Sequence, residues 1–441
     1  MTPDARLSAT IDILEAIENT NTAANNVTRA YFRSRRYAGS KDRRAVSNHV
    51  FNVIRHRARL DWWISGVLGN LKPTARLRTL ASLLILDKED PAGIHSLFHG
   101  SSYSPNPLSP EEKEMVNNLT DKALHHQAMP IGVIHEVPEW LDKILQKQWG
   151  VSYHREMTAL NFTAPVDVRV NTGRVSRNQA RKSLSIDDIK TEPTTLSPIG
   201  LRLYERADLE RTKAFKKGLI EVQDEGSQLV ALLCEVKPGM TVVDYCAGAG
   251  GKTLALANNM ALQGEKTENG SLIACDVSEK RLSLMDDRLK RAGVYKMRKL
   301  VLNDTDAVKK LERNADRVLV DAPCSGIGSW RRHPESRWKL TQQLLDQHID
   351  EQRNILTNAA RLIKLGGRLI YATCSLLEQE NQKQIANFLK DHSDFRLLPI
   401  KEIWARSIGT KCPTEDIDLL LSPATTNTDG FYCAVLERND S

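Results

Sequence analysis

Two cysteines stand where thiols can do chemistry. Cys324 lies in DAPCSG, residues 321–326, and Cys374 in ATCS, residues 372–375. Each comes just after an apolar run of strand length: RVLVD ends at Asp321 and GRLIYAT ends at Thr373. In open α/β sheets the carboxyl ends of the strands form the edge where ligands bind. If the two strands are neighbours, both thiols face one pocket. Asp321 adds a carboxylate three residues before Cys324. The grouping predicts thiol chemistry on a bound substrate.

A second cluster lies upstream. The run MTVVDYC leads into AGAGGKT, Ala247 to Thr253. Glycine lets backbone approach a ligand, and amides at a helix start favour a negative group. A phosphate-binding P-loop needs glycine five residues before Gly251, where this chain has Cys246. A dinucleotide fingerprint needs glycine at 253, which is Thr253. What remains is a nucleoside cofactor whose carboxylate tail meets the loop, S-adenosylmethionine. Cys246, Ala247, Gly248, Ala249, Gly250, Gly251 and Lys252 form the expected cofactor loop. Asp276 ends the apolar run SLIACD, where a carboxylate can accept both ribose hydroxyls. Asp304, in LNDTD, follows the next strand within reach of an adenine amine, and Asp321 follows the fourth.

The elements that must carry these residues follow from pattern. From Leu219 strands alternate with helices, which predicts an α/β fold on a parallel sheet. Strands are expected at 240–246, 271–276, 299–303, 316–323 and 368–373. FRLLPI and FYCAVLE close the domain, and 405–429 reads as a long loop. Helices are expected at 253–260, over roughly 342–363, and over LEQENQKQIANFLK. Residues 135–220 read as a small α+β module, with strands VDVRVN and GLRLYE around a helix at 176–184. Such a module can carry substrate or cover the sheet.

Residues 1–130 read as helical, with Leu7, Ile11, Leu14 and Ile17 at helical spacing. Between Arg29 and Arg59 ten Lys or Arg stand against the single acid Asp42, with Tyr31, Phe32 and Tyr37 interleaved. Guanidinium planes and rings stack on bases while the charge meets phosphate, so the stretch suits RNA. A solvated helix face is the plainer reading of the same run. The net charge of +7 favours a polyanionic partner. No run of 18 apolar residues and no signal-peptide pattern is present, so a cytoplasmic protein without membrane association is expected. Seven cysteines with no C-x-x-C pair argue against a disulfide framework and a structural zinc site, and no metal is expected.

VQDEGSQL, DYCAGAGGKT, DVSEKRL, DAPCSGIGSWRRHPE and ATCSLLEQEN together resemble the RsmB (Fmu/Sun) type of RNA cytosine carbon-5 methyltransferase, related to the NSUN enzymes. The likeness covers roughly 135–441. It implies a class I Rossmann-like methyltransferase domain over 221–441 with a mostly parallel seven-stranded sheet, after a NusB-like helical RNA-binding domain. One departure is Gly248-Ala249, where the family usually has Ala-Pro.

The resemblance makes Cys374 the nucleophile and Cys324 the residue that assists release. Carbon-5 of cytosine is a poor nucleophile until a thiolate adds to carbon-6, which is covalent catalysis by cysteine. Asp321 can hold the ring edge, with Lys252 beside it. Ser375 and Glu378 read as a capping box that would place Cys374 at a helix N-terminus, where thiol pKa values fall. Cys234, Cys275 and Cys433 read as buried filler and Cys246 as loop wall. Trp330 is expected to stack on a base and Arg331 and Arg332 to meet phosphates. His333, in the same loop, reads as structural or phosphate-facing rather than as a base. The implied substrate is small-subunit ribosomal RNA, bound by a monomer. Transfer RNA, DNA with Cys324 leading, and a non-catalytic RNA-binding assembly role are the alternatives.

Overall fold

The computed structural model describes residues 1–69, 71–262, 270–303 and 305–439. The chain divides into two compact units, one of residues 1–162 with 330–342, the other of 163–329 with 343–441.

The first unit is helical among its described residues. Pro3–Glu18 packs against Ser40–Arg55 and Ala75–Ile85, and Arg57–Leu68 packs against Ala75–Ile85 and Pro110–Leu119. The helical spacing of Leu7, Leu14 and Ile17 has its cause here: with Ile13, Val46, Val50, Leu60, Ile64, Leu80 and Leu84 they form one buried core. Division by packing comes later than the expected boundary at 130–135. The helices Glu139–Trp149 and Tyr153–Ala159 bury Leu141, Leu145 and Met157 and belong with the helical unit.

That unit also takes in the segment after the first cysteine motif, which changes two expectations. Trp330 is only 1% exposed, with the Arg337 guanidinium 4.7 Å over its ring, so it has no face for a base. Arg331 is buried as well, its carbonyl accepting from Arg55 Nη2 at 3.1 Å. Arg337, fully buried, donates to the carbonyls of Glu136 at 3.0 Å and Leu160 at 3.2 Å and to Asn161 Oδ1 at 2.6 Å. Sequence proximity to Cys324 suggested a substrate loop, but buried hydrogen bonding makes the segment part of a core. His333 Nδ1 lies 3.7 Å from Glu335 Oε1 and its carbonyl caps Ser336, a structural place. Of the basic run, Arg29, Arg33, Arg36, Lys41, Arg43 and Arg44 remain exposed beside Tyr37, which is 71% exposed. Arg55 and Phe32 are buried.

The second unit holds two sheets. The small one is antiparallel, in the order β2-β3-β1-β4, from β1 (Asp167–Val170), β2 (Thr191–Pro193), β3 (Gly200–Leu203) and β4 (Ile220–Val222). Strands β2 and β4 were too short for sequence alternation to show. The large sheet contains β5 (Thr241–Asp244), β6 (Ser271–Asp276), β7 (Arg298–Val301), β8 (Ala315–Asp321), β9 (Ile363–Thr373), β10 (Phe395–Leu397), β11 (Leu419–Leu421) and β12 (Phe431–Arg438). Its path is β10-β12-β9-β8-β5-β6-β7, seven strands, with β11 as an eighth paired to β12. Pairs from β9 through β8, β5 and β6 to β7 are parallel, while β12 runs antiparallel to β9. The order reverses between β5 and β8, the switch point where such sheets bind ligands. The expected loop 405–429 contains β11 and the short helix Pro423–Thr426, because Leu419 and Leu421 are needed to cover Phe431 and Cys433.

Candidate active site

Strands β8 and β9 are neighbours, with Asp321 opposite Ala372 in the register. Both cysteines therefore leave the same sheet edge, and their sulfurs lie 3.4 Å apart. The Cys324 thiol is raised well above its ordinary pKa by its hydrogen bond to Cys374, then by burial and by the charges of Cys374 and Glu380. The two sulfurs share a hydrogen bond in which either thiol can donate. Cys374 stays partly buried against the core.

The capping-box expectation fails. The helix after the motif is Gln382–Asp391, so Ser375 is not its cap. The Ser375 hydroxyl donates to Glu380 Oε2 instead, and Glu378 lies 3.7 Å from Lys383. Residues 374–381 form a bend, an irregular stretch and then a turn at 378–381, because buried Glu380 and Asn381 draw the backbone inward, which local propensity could not show. Cys374 therefore does not stand at the start of that helix. The nearby cation is Lys252, whose Nζ contacts Asp321 Oδ2 at 2.6 Å and sits 5.0 Å from the Phe431 ring. Burial works against this ammonium, but the Asp321 carboxylate and, behind it, Cys374 outweigh burial and hold its pKa above the ordinary value. Lysine, aspartate and two thiols are thereby brought together.

The glycine loop lies beside them, between β5 and the helix Gly251–Asn259. Gly248 and Gly250 have φ of +53° and +80°. A Cβ on Gly250 would come 2.8 Å from Met285 Cβ, whereas one on Gly248 would meet open space. Gly248 can therefore face a ligand, and its left-handed backbone explains glycine there. Ala247 N donates to the Cys275 carbonyl at 2.8 Å, and Ala249 O accepts from Arg288 Nη1 at 2.5 Å. Glu221 on β4 holds Arg288 at 3.1 Å, and Gln223 Nε2 donates to Gly251 O at 3.3 Å. The small sheet thus supports the loop from below.

Asp276, 2% exposed at the end of β6, accepts from Gly248 N at 3.0 Å, Ser278 N at 2.9 Å and Arg281 Nη2 at 2.6 Å. Asp304 lies outside the described residues. Cys246 is pushed well up, first by burial and then by the charges of Asp244, Asp321 and Asp276, which fits a wall residue. Burial likewise raises Cys234, Cys433 and Cys275, the last to about 12.

Two site features escaped sequence reading. Asp244 ends β5 as Asp276 ends β6, and the same strand-end rule would have found it. Its Oδ2 accepts from Thr253 Oγ1 at 2.6 Å, while its buried Oδ1 has no hydrogen-bond partner. Burial, with the Asp321 and Asp276 charges, pushes Asp244 up to about 7. A carboxyl raised in the folded state stabilises below its unfolded pKa and loses that contribution as pH rises through the folded value. Asp244→Asn should therefore gain on wild type by ~2–3 kcal/mol between pH 5 and pH 8 in denaturant titrations. Equal slopes for the two proteins would show Asp244 charged throughout. The second feature is Glu380, which no local pattern marks.

The comparisons agree with this arrangement. A family model described as 16S rRNA methyltransferase RsmB/F matches residues 231–437. A second, the RsmF/B-like ferredoxin-like domain, matches 137–210. "Ribosomal RNA small subunit methyltransferase B" of Sodalis glossinidius is 30% identical over 414 residues, 89% of either chain. The chain belongs to the RsmB/F methyltransferase family. A further RsmB relative, a probable one from Synechocystis, is 30% identical and covers 74% of this chain and 71% of its own length. Among solved structures, PH0851 superposes with a TM-score of 0.81 at 25% identity over 99% of both chains. NSun6 from Pyrococcus horikoshii shares the fold at a TM-score of 0.60 and 20% identity, over 69% of this chain and 99% of its own. The RsmB/F ferredoxin-like match begins at 137, so it claims the two helices that packing gives to the helical unit.

Proposed function

We propose that this protein methylates carbon-5 of cytosine in small-subunit ribosomal RNA, with Cys374 as nucleophile, Cys324 as the residue that completes release, and S-adenosylmethionine as methyl donor. The observation that carries the reading is the 3.4 Å approach of the two sulfurs beside the Lys252–Asp321 pair, in a chain of the RsmB/F family.

The residues present fit the cofactor. Gly248 offers open space at a positive φ, the helix from Gly251 presents its first amides, and Asp276 supplies a buried acceptor at the next strand end. Residues 246–252, Asp276 and Asp321 would hold it, with Asp304 the third strand-end candidate. When bound, S-adenosylmethionine supplies an electrophilic methyl group. Asp321 and Lys252 hold the cytosine edge and stabilise charge that builds up there, while Cys374 Sγ adds to carbon-6.

A DNA-type mechanism would make Cys324 the nucleophile. Cys374 would then be dispensable, so methyl transfer by Cys374→Ala separates the two readings. The exposed basic surface of Arg29–Arg44 with Tyr37 supports an RNA partner. Bisulfite sequencing of total RNA from a deletion strain is the test. Loss of one 5-methylcytosine in small-subunit ribosomal RNA is expected. Loss confined to transfer RNA would move the substrate, and no loss anywhere would overturn the reading.

Asp276→Ala tests the cofactor site. It removes a buried acceptor and releases Gly248 N–H, so S-adenosylmethionine affinity should fall roughly 5- to 150-fold, the cost of one unpaired buried group. Calorimetry showing wild-type affinity would take Asp276 out of the site.

A further inference from the structure

The loops that carry the two cysteines share one buried carboxylate. Glu380 is fully buried. Its Oε1 accepts from Ser325 N at 2.7 Å and from Gln352 Nε2 at 3.0 Å. Its Oε2 accepts from the hydroxyls of Ser325, at 2.5 Å, and Ser375. Ser325 follows Cys324 in the chain and Ser375 follows Cys374. Gln352 also donates to Pro323 O at 2.9 Å, so the backbone is held on both sides of Cys324. Glu380 is itself fixed, because Tyr371 Oη donates to its carbonyl at 2.7 Å. Its neighbour Asn381 accepts from Thr373 Oγ1 at 2.6 Å and donates to Ser375 O at 3.0 Å.

Parallel strands set only the spacing of the two loops. Beyond the strand ends, each cysteine stands on irregular backbone whose direction the ladder does not determine. Four donors converge on one carboxylate there, and hydrogen bonds to an ionised acceptor are the stronger kind. We propose that Glu380 is a positioning residue: by accepting from the residues next to both cysteines it fixes the two sulfurs at their separation and presents both to one ring. This rests on the reading of Cys374 and Cys324 as partners in one reaction. Reacting groups displaced by about 1 Å lose on the order of 100-fold in rate, so such a clamp matters. The charge of Glu380 has a second consequence: after Cys374 and burial, it helps to keep Cys324 protonated.

The test uses full-length Glu380→Gln and Glu380→Ala. Neither should change S-adenosylmethionine affinity, since Glu380 does not touch the glycine loop. Diamide oxidation, with peptide mapping of the Cys324–Cys374 disulfide, reads the sulfur geometry without reference to activity. Disulfide formation should be slower in Glu380→Ala, with Glu380→Gln between it and wild type. On RNA, kcat should fall by on the order of 100-fold in Glu380→Ala with KM little changed, and Glu380→Gln should partly rescue it. In Glu380→Gln the acid limb of the pH–rate profile should move to lower pH, because Cys324, the base, loses a neighbouring negative charge. Wild-type disulfide rate and kcat in Glu380→Ala would overturn the proposal. Slower disulfide formation with a wild type that is itself inactive on RNA would uphold the positioning role and sink the functional reading instead. If Glu380→Ala does not fold, the Ser325→Ala/Ser375→Ala double variant decides. Slower pairing there supports the clamp, and a wild-type rate refutes it.

Discussion

Cys374→Ala should abolish methyl transfer, by at least about ten-thousand-fold, as loss of a covalent nucleophile does. Its S-adenosylmethionine affinity should stay near that of wild type. The two effects separate because of where the residue sits. Cys374 contacts Cys324 at the end of β9, whereas the glycine loop is held by Asp276, Arg288 and Gln223. Lys252 lies close to both regions, and its hydrogen bond goes to Asp321, so losing the thiol leaves that contact intact. Methyl transfer to labelled RNA and calorimetry of cofactor binding measure the two quantities. Substantial transfer by Cys374→Ala, with none by Cys324→Ala, would reverse the roles and favour attack from the residue after β8.

The site was legible to the extent that it obeys strand-end rules. Cys324, Asp321, Cys374 and Asp276 each follow a hydrophobic run, and the sheet brings those runs to one edge because β5, β6, β8 and β9 are parallel and adjacent. The glycine loop was legible because positive φ at Gly248 and Gly250 admits few other residues. What failed depended on non-local hydrogen bonds. LLEQEN looks helical, yet Glu380 and Asn381 turn inward to Ser325, Ser375 and Thr373 and delay the helix to Gln382. Trp330 and Arg331 look like RNA ligands beside a catalytic loop. Trp330 lies under Arg337, whose partners Glu136, Leu160 and Asn161 lie some 180–200 residues away in sequence, and the Arg331 carbonyl is held by the still more distant Arg55. Propensity and periodicity carry no information about such partners. Packing places the helical boundary at 162 while the ferredoxin-like family match begins at 137, near the expected 135, and nothing local at 130–162 says which core Leu141, Leu145 and Met157 will fill.

Cys324→Ala separates the two thiols. It should still attack and methylate, then stall as a covalent enzyme–RNA adduct. After Cys374 Sγ adds to carbon-6 and carbon-5 takes the methyl group, two events remain. The carbon-5 proton must go to a base, and its bonding pair then forms the ring double bond as the carbon–sulfur bond breaks and Cys374 leaves as thiolate. Cys324 is the group placed for this, 3.4 Å from the sulfur that must depart. Acting as the thiolate, Cys324 would take the carbon-5 proton and become the thiol, and its loss leaves the adduct without that base. A denaturing gel with labelled RNA should therefore show a slow-migrating protein–RNA band for Cys324→Ala, and none for Cys374→Ala or for the double variant. A band that survives in the double variant would reveal another nucleophile. Normal turnover by Cys324→Ala without a band would reduce Cys324 to packing and assign proton removal to another group at the same edge.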